Sequence, residues 1–236
     1  MKPPFYALFS LMASLGASCA SIDSSDIKTS GIYADFEAKS NGEGTTLVSA
    51  NLKVGQNSNT YLDLVEGDTL QVSFQEETAT MERKNLGSMI WYESRFPTDE
   101  LDSSFTLNFQ RENDDSAPDS NVSLPAPFEI TVPSQGDSFS MSADKIDIAW
   151  NNSGSNDEMK IMISGDCFYG QNITIENDPG VYIIENAILE PIDETNNCSG
   201  TLTLMRKRFG SIDDNFGEGG EFTGLQVRHI TINLTP

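Results

Sequence analysis

The sequence predicts an all-β protein built from two tandem β-sandwich domains, and three observations lead to this prediction. Apolar and polar residues alternate along most of the 236-residue chain, which places one face of each segment in a core. Clusters rich in Gly, Asn and Asp separate these segments at short intervals. No stretch of ten or more residues keeps a helical period. Short strands with frequent turns are typical of β-sandwiches.

The first half of the body supplies six predicted strands. Clear alternation covers residues 48–54, 70–74 and 105–109, and shorter candidates cover 32–38, 60–64 and 89–94. Turn-like clusters lie between them, at residues 41–44, 55–59 and 66–68.

A second series of strands follows a polar stretch, residues 111–123, and the pair Pro125 and Pro127. We therefore place a boundary near Pro125, with one domain over residues 31–124 and another over 125–236. A single long sandwich is the open alternative. The second series covers residues 128–132, 146–150, 159–163, 173–175, 181–184, 201–208 and 225–234. In the last segment the apolar phase slips between Val227 and Ile230, which predicts a β-bulge near Arg228.

The N-terminus has the layout of a secretory signal. Lys2 is followed by an apolar stretch over residues 5–15 and by the small residues 16–18, immediately before Cys19. The apolar stretch is too short for a transmembrane helix. Residues 1–18 are therefore predicted to be a signal peptide.

Residues 15–19, LGASC, resemble the lipobox of bacterial lipoproteins. The resemblance implies cleavage before Cys19, acylation of its thiol (a palmitate-type modification), and a membrane anchor in the bacterial cell envelope. Ala20 rather than Asp after the cysteine implies the outer membrane. Gly16 stands where this family prefers Leu, so ordinary signal-peptidase cleavage after Ala17 or Ala20 stays an alternative. The polar residues 19–30 are predicted to form a flexible tether.

Cysteine counting agrees with lipidation. The chain has three cysteines, and in an oxidising compartment two of them can pair. We predict a disulfide between Cys167 and Cys198, which in the loop-entropy model stabilises by roughly 3–4 kcal/mol. Lipidation of Cys19 accounts for the third.

The second domain resembles the broad immunoglobulin and fibronectin type III group of β-sandwiches. The features that carry this resemblance are the opening 127–130 (PFEI) and the strand 146–150 that ends in Trp150. The usual order of Cys, Trp and Cys is absent, because Trp150 precedes both cysteines. The resemblance covers residues 126–236 and implies an architecture, not an activity.

The charge narrows the range of partners. Fourteen basic and 36 acidic residues give a net charge of -22, and such a body repels phosphate backbones and anionic lipid headgroups. Nucleic acid is therefore excluded as a partner. The acids serve solubility, or some of them bind a divalent cation.

Calcium is the cation that loop carboxylates favour. Two groups are candidate ligands, and neither follows the EF-hand order, so solvated turns are the alternative. The candidates are Glu112, Asp114, Asp115 and Asp119 in the polar stretch, and Asp213, Asp214, Asn215 and Glu218 in the last long loop. No other cofactor is predicted.

Catalytic motifs are missing from the sequence. His229 is the only histidine, and its place in the last strand predicts an exposed side chain. There is no G-x-S-x-G, no H-E-x-x-H and no Gly-rich phosphate loop after a strand. Carboxylates are abundant, so a glycosidase-like carboxylate pair stays open.

Three further groups have alternative interpretations. The pairs Trp91–Tyr92 and Phe168–Tyr169 are either glycan-stacking platforms or core residues. The basic run 206–208 pairs with acidic loops, receives an anionic partner, or is an exposed strand end; on a strand, Arg206 and Arg208 share one face.

We therefore predict a lipid-anchored interaction module of the cell envelope, without catalysis, that binds another envelope protein or a polysaccharide. The alternatives are a carboxylate-dependent hydrolase and a calcium-dependent adhesin.

Overall fold

A computed structural model describes residues 20–65, 67–185, 188–192 and 197–235. The described residues form 18 strands and two short 3-10 turns. The predicted signal peptide and the predicted lipidation site Cys19 lie outside the described residues.

The strands cover most of the segments that alternation predicts. They are β1 (Ala20–Asp23), β2 (Ile32–Ser40), β3 (Thr46–Val54), β4 (Thr60–Asp63), β5 (Thr69–Phe74), β6 (Glu77–Thr80), β7 (Glu82–Leu86), β8 (Met89–Phe96), β9 (Ser104–Gln110), β10 (Ala117–Ser123), β11 (Ile130–Val132), β12 (Ser138–Ser140), β13 (Ile146–Trp150), β14 (Glu158–Ser164), β15 (Gln171–Ile175), β16 (Val181–Ile184), β17 (Cys198–Phe209) and β18 (Gly220–Thr235). The 3-10 turns are Ser24–Asp26 and Thr29–Gly31.

The strands form three sheets. The largest has the order β1-β4-β3-β2-β18-β17-β14-β15, with β8 and β7 added at β3 and β12 added at β18. A four-stranded sheet, β10-β9-β5-β6, covers the first part of it, and a three-stranded sheet, β11-β13-β16, covers the second. The predicted all-β class with β-sandwich architecture is confirmed.

Each sandwich encloses its own hydrophobic cluster. The first is rich in phenylalanine and the second is centred on isoleucines, leucines and Trp150. Phe216 and Phe222 belong to the first cluster. The first sandwich therefore contains residues from both sides of Pro125.

Strand β18 belongs to both sandwiches. Its residues 220–226 pair in parallel with β2, and it pairs antiparallel with β17 over residues 223–234 in unbroken register. The predicted β-bulge near Arg228 is therefore wrong. Phe222, Ile232 and Leu234 share one face of the strand, and the positions between them on that face include the fully buried Gln226 and the largely buried Arg228. These polar residues interrupt the apolar pattern without shifting the register.

The predicted tether over residues 20–30 is structured instead from Ala20 onward. Strand β1 pairs in parallel with β4, and the side chains of Ser24 and Thr29 are buried. The Arg111 guanidinium donates hydrogen bonds to the Ser24 carbonyl (2.7 Å) and the Thr29 hydroxyl (3.1 Å), and it lies 2.7 Å from an Asp68 carboxylate oxygen. The hydroxyl groups of Ser24 and Thr29 thus hold this segment against the first sandwich, because they accept hydrogen bonds from the Val65 amide and from Arg111.

The polar stretch 111–123 contains strand β10. Pairing with β9 buries Ala117, Ser120 and Val122, so this strand completes the first sandwich. Gly210 allows β10 to lie close to the end of β17, because a Cβ atom there would overlap the Asn121 carbonyl oxygen.

The predicted disulfide between Cys167 and Cys198 is confirmed. It joins the loop after β14 to the start of β17. The described part of the loop between β16 and β17 lies against the residues that follow β14. The Ile192 amide donates to the Cys167 carbonyl at 2.8 Å, and the Tyr169 amide donates to the Glu190 carbonyl at 3.0 Å.

A buried ion pair lies where the two sandwiches meet. Arg206 Nη2 is 2.6 Å from Asp178 Oδ2, and both side chains are fully buried. The same guanidinium donates to the carbonyls of Ala126 and Asn151, each at 2.6 Å, and lies over the Phe128 ring. Of the three interpretations of the basic run, pairing with acidic loops is therefore confirmed for Arg206, and an exposed strand end is wrong for it.

The Asp178 carboxylate is satisfied on both oxygens. Trp150 Nε1 donates to one at 2.5 Å, and the Ser153 amide and hydroxyl donate to the other at 2.9 and 2.8 Å. Burial alone would raise the pKa of Asp178, but the hydrogen bonds from Ser153 and Trp150 and the charge of Arg206 outweigh it and lower that pKa. The carboxylate is thus held ionised.

Asp178→Asn should destabilise the protein by about 3–5 kcal/mol, because it leaves the buried Arg206 charge uncompensated. Urea denaturation measures the change. Asp102→Asn is the matched control: it removes a mostly exposed partner of Arg208, so it should cost about 1 kcal/mol or less. Equal effects of the two substitutions would contradict the central role of the buried pair.

The difference in stability between wild type and Asp178→Asn should depend on pH. The pKa of Asp178 is lower in the folded state than its ordinary value of 3.8, so its contribution is complete above about pH 4 and disappears as the pH falls through the folded-state pKa. Urea titrations at neutral pH and at successively more acidic pH test this. A constant difference throughout the acidic range would be the contrary result.

Candidate functional site

A surface cleft lies at the junction of the two sandwiches, and we call it the junction cleft. Its volume is about 610 Å³. It is lined by the start of β14, the turn after β15 and the end of β17. The lining residues are Ser155, Asn156, Asp157, Glu158, Glu176, Asn177, Lys207, Arg208 and Phe209.

One wall of the cleft is fixed by hydrogen bonds that begin at the buried ion pair. Ser153, bound to Asp178, has its hydroxyl 2.7 Å from that of Ser155, and Ser155 donates to Asp157 Oδ2 at 2.6 Å. Asp157 accepts two hydrogen bonds from Arg208, at 2.8 and 3.0 Å. The network thus runs from the buried core to the cleft lining.

Arg208 joins the two sandwiches. Besides Asp157, its guanidinium binds Asp102 Oδ1 at 2.7 Å and the Leu124 carbonyl at 3.1 Å, both on the side of the first sandwich. Hydrogen bonds from Arg208 to Asp157, and then to Asp102, raise the pKa of Arg208, so the guanidinium stays charged. A bidentate ion pair of this kind fixes geometry as well as adding energy.

The second wall comes from the turn after β15. Asn177 has a φ of 69°, the left-handed region that Asn tolerates better than most residues. The turn places Asn177 and Glu176 in the cleft lining while the next residue, Asp178, is buried. The ion pair with Arg206 therefore also anchors this wall.

The aromatic residue of the cleft is Phe209, which is 58% exposed at the end of β17. Lys207 Nζ lies 4.4 Å from the centre of its ring and 3.6 Å from a Glu221 carboxylate oxygen. On the neighbouring strand Glu158 is paired with Lys207. An exposed ring bordered by amides, carboxylates and an ammonium group can stack on a sugar ring while the polar groups bind its hydroxyls.

Three carboxylates of the first sandwich and β18, those of Asp35, Glu37 and Glu221, lie near this aromatic platform, and each is ion-paired with a lysine. In the register of β18 and β2, Glu221 lies beside Asp35, and Glu37 follows Asp35 two residues later on the same face of β2. Partial burial raises the pKa of Asp35; Lys53 opposes this rise, and the charges of Glu221 and Glu37 add to it. The cleft lining itself contains three acids, Asp157, Glu158 and Glu176, and two bases, so it disfavours an anionic ligand.

The two groups of predicted calcium ligands meet, but their oxygens bind the protein itself. Asp213 accepts from the amides of Asp119 and Asn215, each at 2.9 Å. Asp114 accepts from the Thr29 amide at 2.6 Å, and hydrogen bonds from Thr29 lower its pKa. Asp115, Asp214 and Glu218 join no cluster of three ligand groups.

Only one such cluster occurs in the described part of the chain. It comprises Asp166 with the disulfide-bonded Cys167 and Cys198. Calcium binding therefore stays a prediction.

The other predicted residues separate into core and surface. Tyr92 and Phe168 are core residues, whereas Tyr169 is exposed. Burial raises the pKa of Tyr92 to about 12. His229 is exposed on β18, as its strand phase predicts.

Phe209 and the cleft residues around it were not predicted, because they come together from β14, β15 and β17. The one available sequence signal was the basic run 206–208, which is followed directly by the aromatic Phe209.

Within the described ranges, no helix is long and apolar enough to cross a membrane.

No protein-family model matches the sequence, and no curated protein matches it. Solved structures resemble it at low similarity. The FN1–FN3 domains of chicken CNTN1 share 10% identity at a TM-score of 0.31, over 86% of this chain and 63% of that chain. The I-band fragment I67–I69 of titin shares 10% identity at a TM-score of 0.23, over 86% and 66%.

A third structure is Bacteroides ovatus SGBP-B of the mixed-linkage glucan utilization locus, solved with a mixed-linkage heptasaccharide. It shares 9% identity at a TM-score of 0.21, over 97% of this chain and 69% of that chain. Scores this low indicate a weak architectural resemblance and support no statement about what this chain binds.

Proposed function

We propose that this protein is a non-catalytic binding module of the cell envelope and that it binds a neutral polysaccharide in the junction cleft. The observation that carries the proposal is the exposed Phe209 ring in a cleft whose walls are fixed by the Arg206–Asp178 network. A preformed site lowers the ordering cost of binding.

The chemistry of the lining favours a neutral, polyhydroxylated ligand. Stacking on Phe209 needs a flat apolar sugar face, and Asn156, Asn177 and Glu176 offer donors and acceptors for hydroxyl groups. The carboxylates beside the cleft and the net charge of -22 oppose uronic-acid polymers and nucleic acids.

The proposed location is the bacterial outer membrane, with acyl chains on Cys19 as the anchor. The lipobox resemblance of residues 15–19 supports this. Two or more acyl chains anchor a protein stably, whereas one does not.

A carboxylate-dependent hydrolase is the second candidate. Glu158 and Glu176 both line the cleft, and β14 and β15 pair in a register that brings these positions opposite one another. Glycoside hydrolysis needs two such carboxylates, so product release is measured alongside binding.

Phe209→Ala should weaken binding of neutral polysaccharide about tenfold or more, since it removes the stacking surface. Affinity electrophoresis in gels containing mixed-linkage glucan, galactomannan or starch measures retardation, and alginate serves as the anionic comparison. Tyr169→Ala is the matched control, because Tyr169 is exposed to a similar degree and lies outside the cleft.

The site assignment fails if both variants bind as wild type does, or if Tyr169→Ala alone weakens binding. Retardation by alginate but by no neutral polymer would contradict the predicted ligand class. If the wild-type protein releases reducing ends and Glu158→Gln abolishes this release, the protein is a hydrolase and not a binding module.

Cys19→Ala should abolish lipid attachment, because the acylated thiol is lost. Expression in a Gram-negative host with radiolabelled palmitate, followed by membrane fractionation, tests this. Wild type should carry label and sediment with the outer membrane, and Cys19→Ala should carry none. An unlabelled, soluble wild-type protein would end the anchor proposal.

A further inference from the structure

The hairpin of β7 and β8 ends in two exposed apolar side chains. Leu86 is 75% exposed and Met89 is 41% exposed, and the two residues are paired across the turn. Trp91 lies two residues after Met89 on the same face of β8 and is half-buried. We call residues 86–89 the hairpin tip.

The hairpin is fixed to strand β4. Arg83 makes a bidentate ion pair with Asp63, at 2.7 and 2.8 Å. The Tyr92 hydroxyl accepts from the Leu64 amide at 2.8 Å and lies 3.3 Å from the Leu62 carbonyl oxygen. The hairpin is therefore held as a rigid projection from the first sandwich.

The hairpin tip points to the end of the molecule where the described chain begins. Strands β4 and β8 are both antiparallel to β3, so they run in the same direction. Met89 lies three residues before Tyr92, and Thr60 lies two residues before Leu62. Thr60 is paired with Ala20, the first residue of β1. The register thus places the hairpin tip and Ala20 at one pole of the first sandwich.

The hairpin tip carries no acid, and the acids of the hairpin stem and of β4 beside it are neutralised by bases: Asp63 by Arg83, and Glu82 and Glu93 by Lys84. Residues 83–92 contain Arg83 and Lys84 and no acid, and the neighbouring turn, residues 55–60, contains no charged residue. The chain has 36 acids in 236 residues. The acidic loops at the same pole, with Asp68 and Asp114, lie on the side of the four-stranded sheet.

We propose that the hairpin tip inserts into the bilayer beside the lipid anchor. Leu86 and Met89 would leave water, Lys84 and Arg83 would lie at the headgroups, and the amphipathic Trp91 ring would lie at the interface. The location of this bilayer in the cell rests on the proposed anchoring at Cys19; the insertion itself rests on the position, exposure and charge of the hairpin.

Insertion would orient the whole molecule. Strand β18 begins near this pole, because its first residue, Gly220, is paired with Ala34, two residues after the start of β2. It ends in the second sandwich. At about 3.3 Å per residue, its 16 residues span about 50 Å. The second sandwich would therefore project away from the membrane, with the junction cleft above the surface.

The test uses the mature chain from Cys19, coupled through its Cys19 thiol to a maleimide lipid in vesicles of phosphatidylethanolamine and phosphatidylglycerol. The other two cysteines are joined in the disulfide, so the coupling is selective. Trp91 is one of two tryptophans, and the other, Trp150, is buried in the second sandwich. Quenching of tryptophan emission by brominated acyl chains therefore reports the hairpin.

Brominated lipids should quench wild-type emission, and Leu86→Ser/Met89→Ser should show about twofold less quenching or none, because the apolar anchor is gone. Trp91→Phe should abolish quenching. Leu101→Ser is the matched control: it removes an exposed leucine from the loop that binds Leu124 and should leave quenching unchanged.

Unquenched wild-type protein on vesicles, with attachment verified by flotation, would overturn the proposal, as would equal quenching of the double variant. Because the tether is chemical, either result is independent of acylation in cells and of glycan binding in the cleft. A failed palmitate experiment would thus leave the insertion test intact.

Discussion

The ion pair between Arg206 and Asp178 is the interaction on which the arrangement of the two sandwiches depends. Two charges without solvent contact are costly, and they are retained only where hydrogen bonds satisfy them. Here the donors and acceptors come from Trp150, Ser153 and the carbonyls of residues 126 and 151. These groups belong to the linker, to β13 and to the loop after it. Forming the pair therefore brings the connection between the sandwiches into one geometry.

The pair lies on a strand that both sandwiches share. Strands β17 and β18 run through the junction with continuous pairing, so the two cores are joined by a sheet and not by a flexible linker alone. Arg208, two residues from Arg206, extends the ionic contacts to Asp102 and Asp157 on either side of the junction. The walls of a cleft built on such a joint are fixed by contacts within the protein, and this preorganisation would favour the proposed binding of a weakly interacting neutral sugar.

Strand positions could be predicted from the sequence wherever one face is apolar; residues 146–150 and 181–184 match the strands β13 and β16. Prediction failed where polar residues face inward. Specific hydrogen bonds allow three polar side chains to be buried: Ser120 in β10, Gln226 in β18 and Ser24 beside β1. The alternation of apolar and polar residues does not predict such hydrogen-bond partners. The cleft was missed for a second reason: Glu176 and Phe209 meet only through the pairing of β14 with both of its neighbours, which are distant in sequence.

The excess of acidic residues bears on two regions of the molecule, the hairpin of β7 and β8 and the junction cleft. An acidic surface keeps a protein away from anionic headgroups, so a body held near a membrane needs a local region whose acids are paired with bases. The hairpin is such a region, because its tip has no acid and Asp63, Glu82 and Glu93 are paired with Arg83 and Lys84. In the cleft lining, Asp157, Glu158 and Glu176 outnumber the two bases, which would disfavour anionic polymers. The proposed ligand would instead stack on the apolar face of the Phe209 ring. In the proposed function, the same excess of acids would restrict the membrane contact to the hairpin and the ligand to neutral polymers.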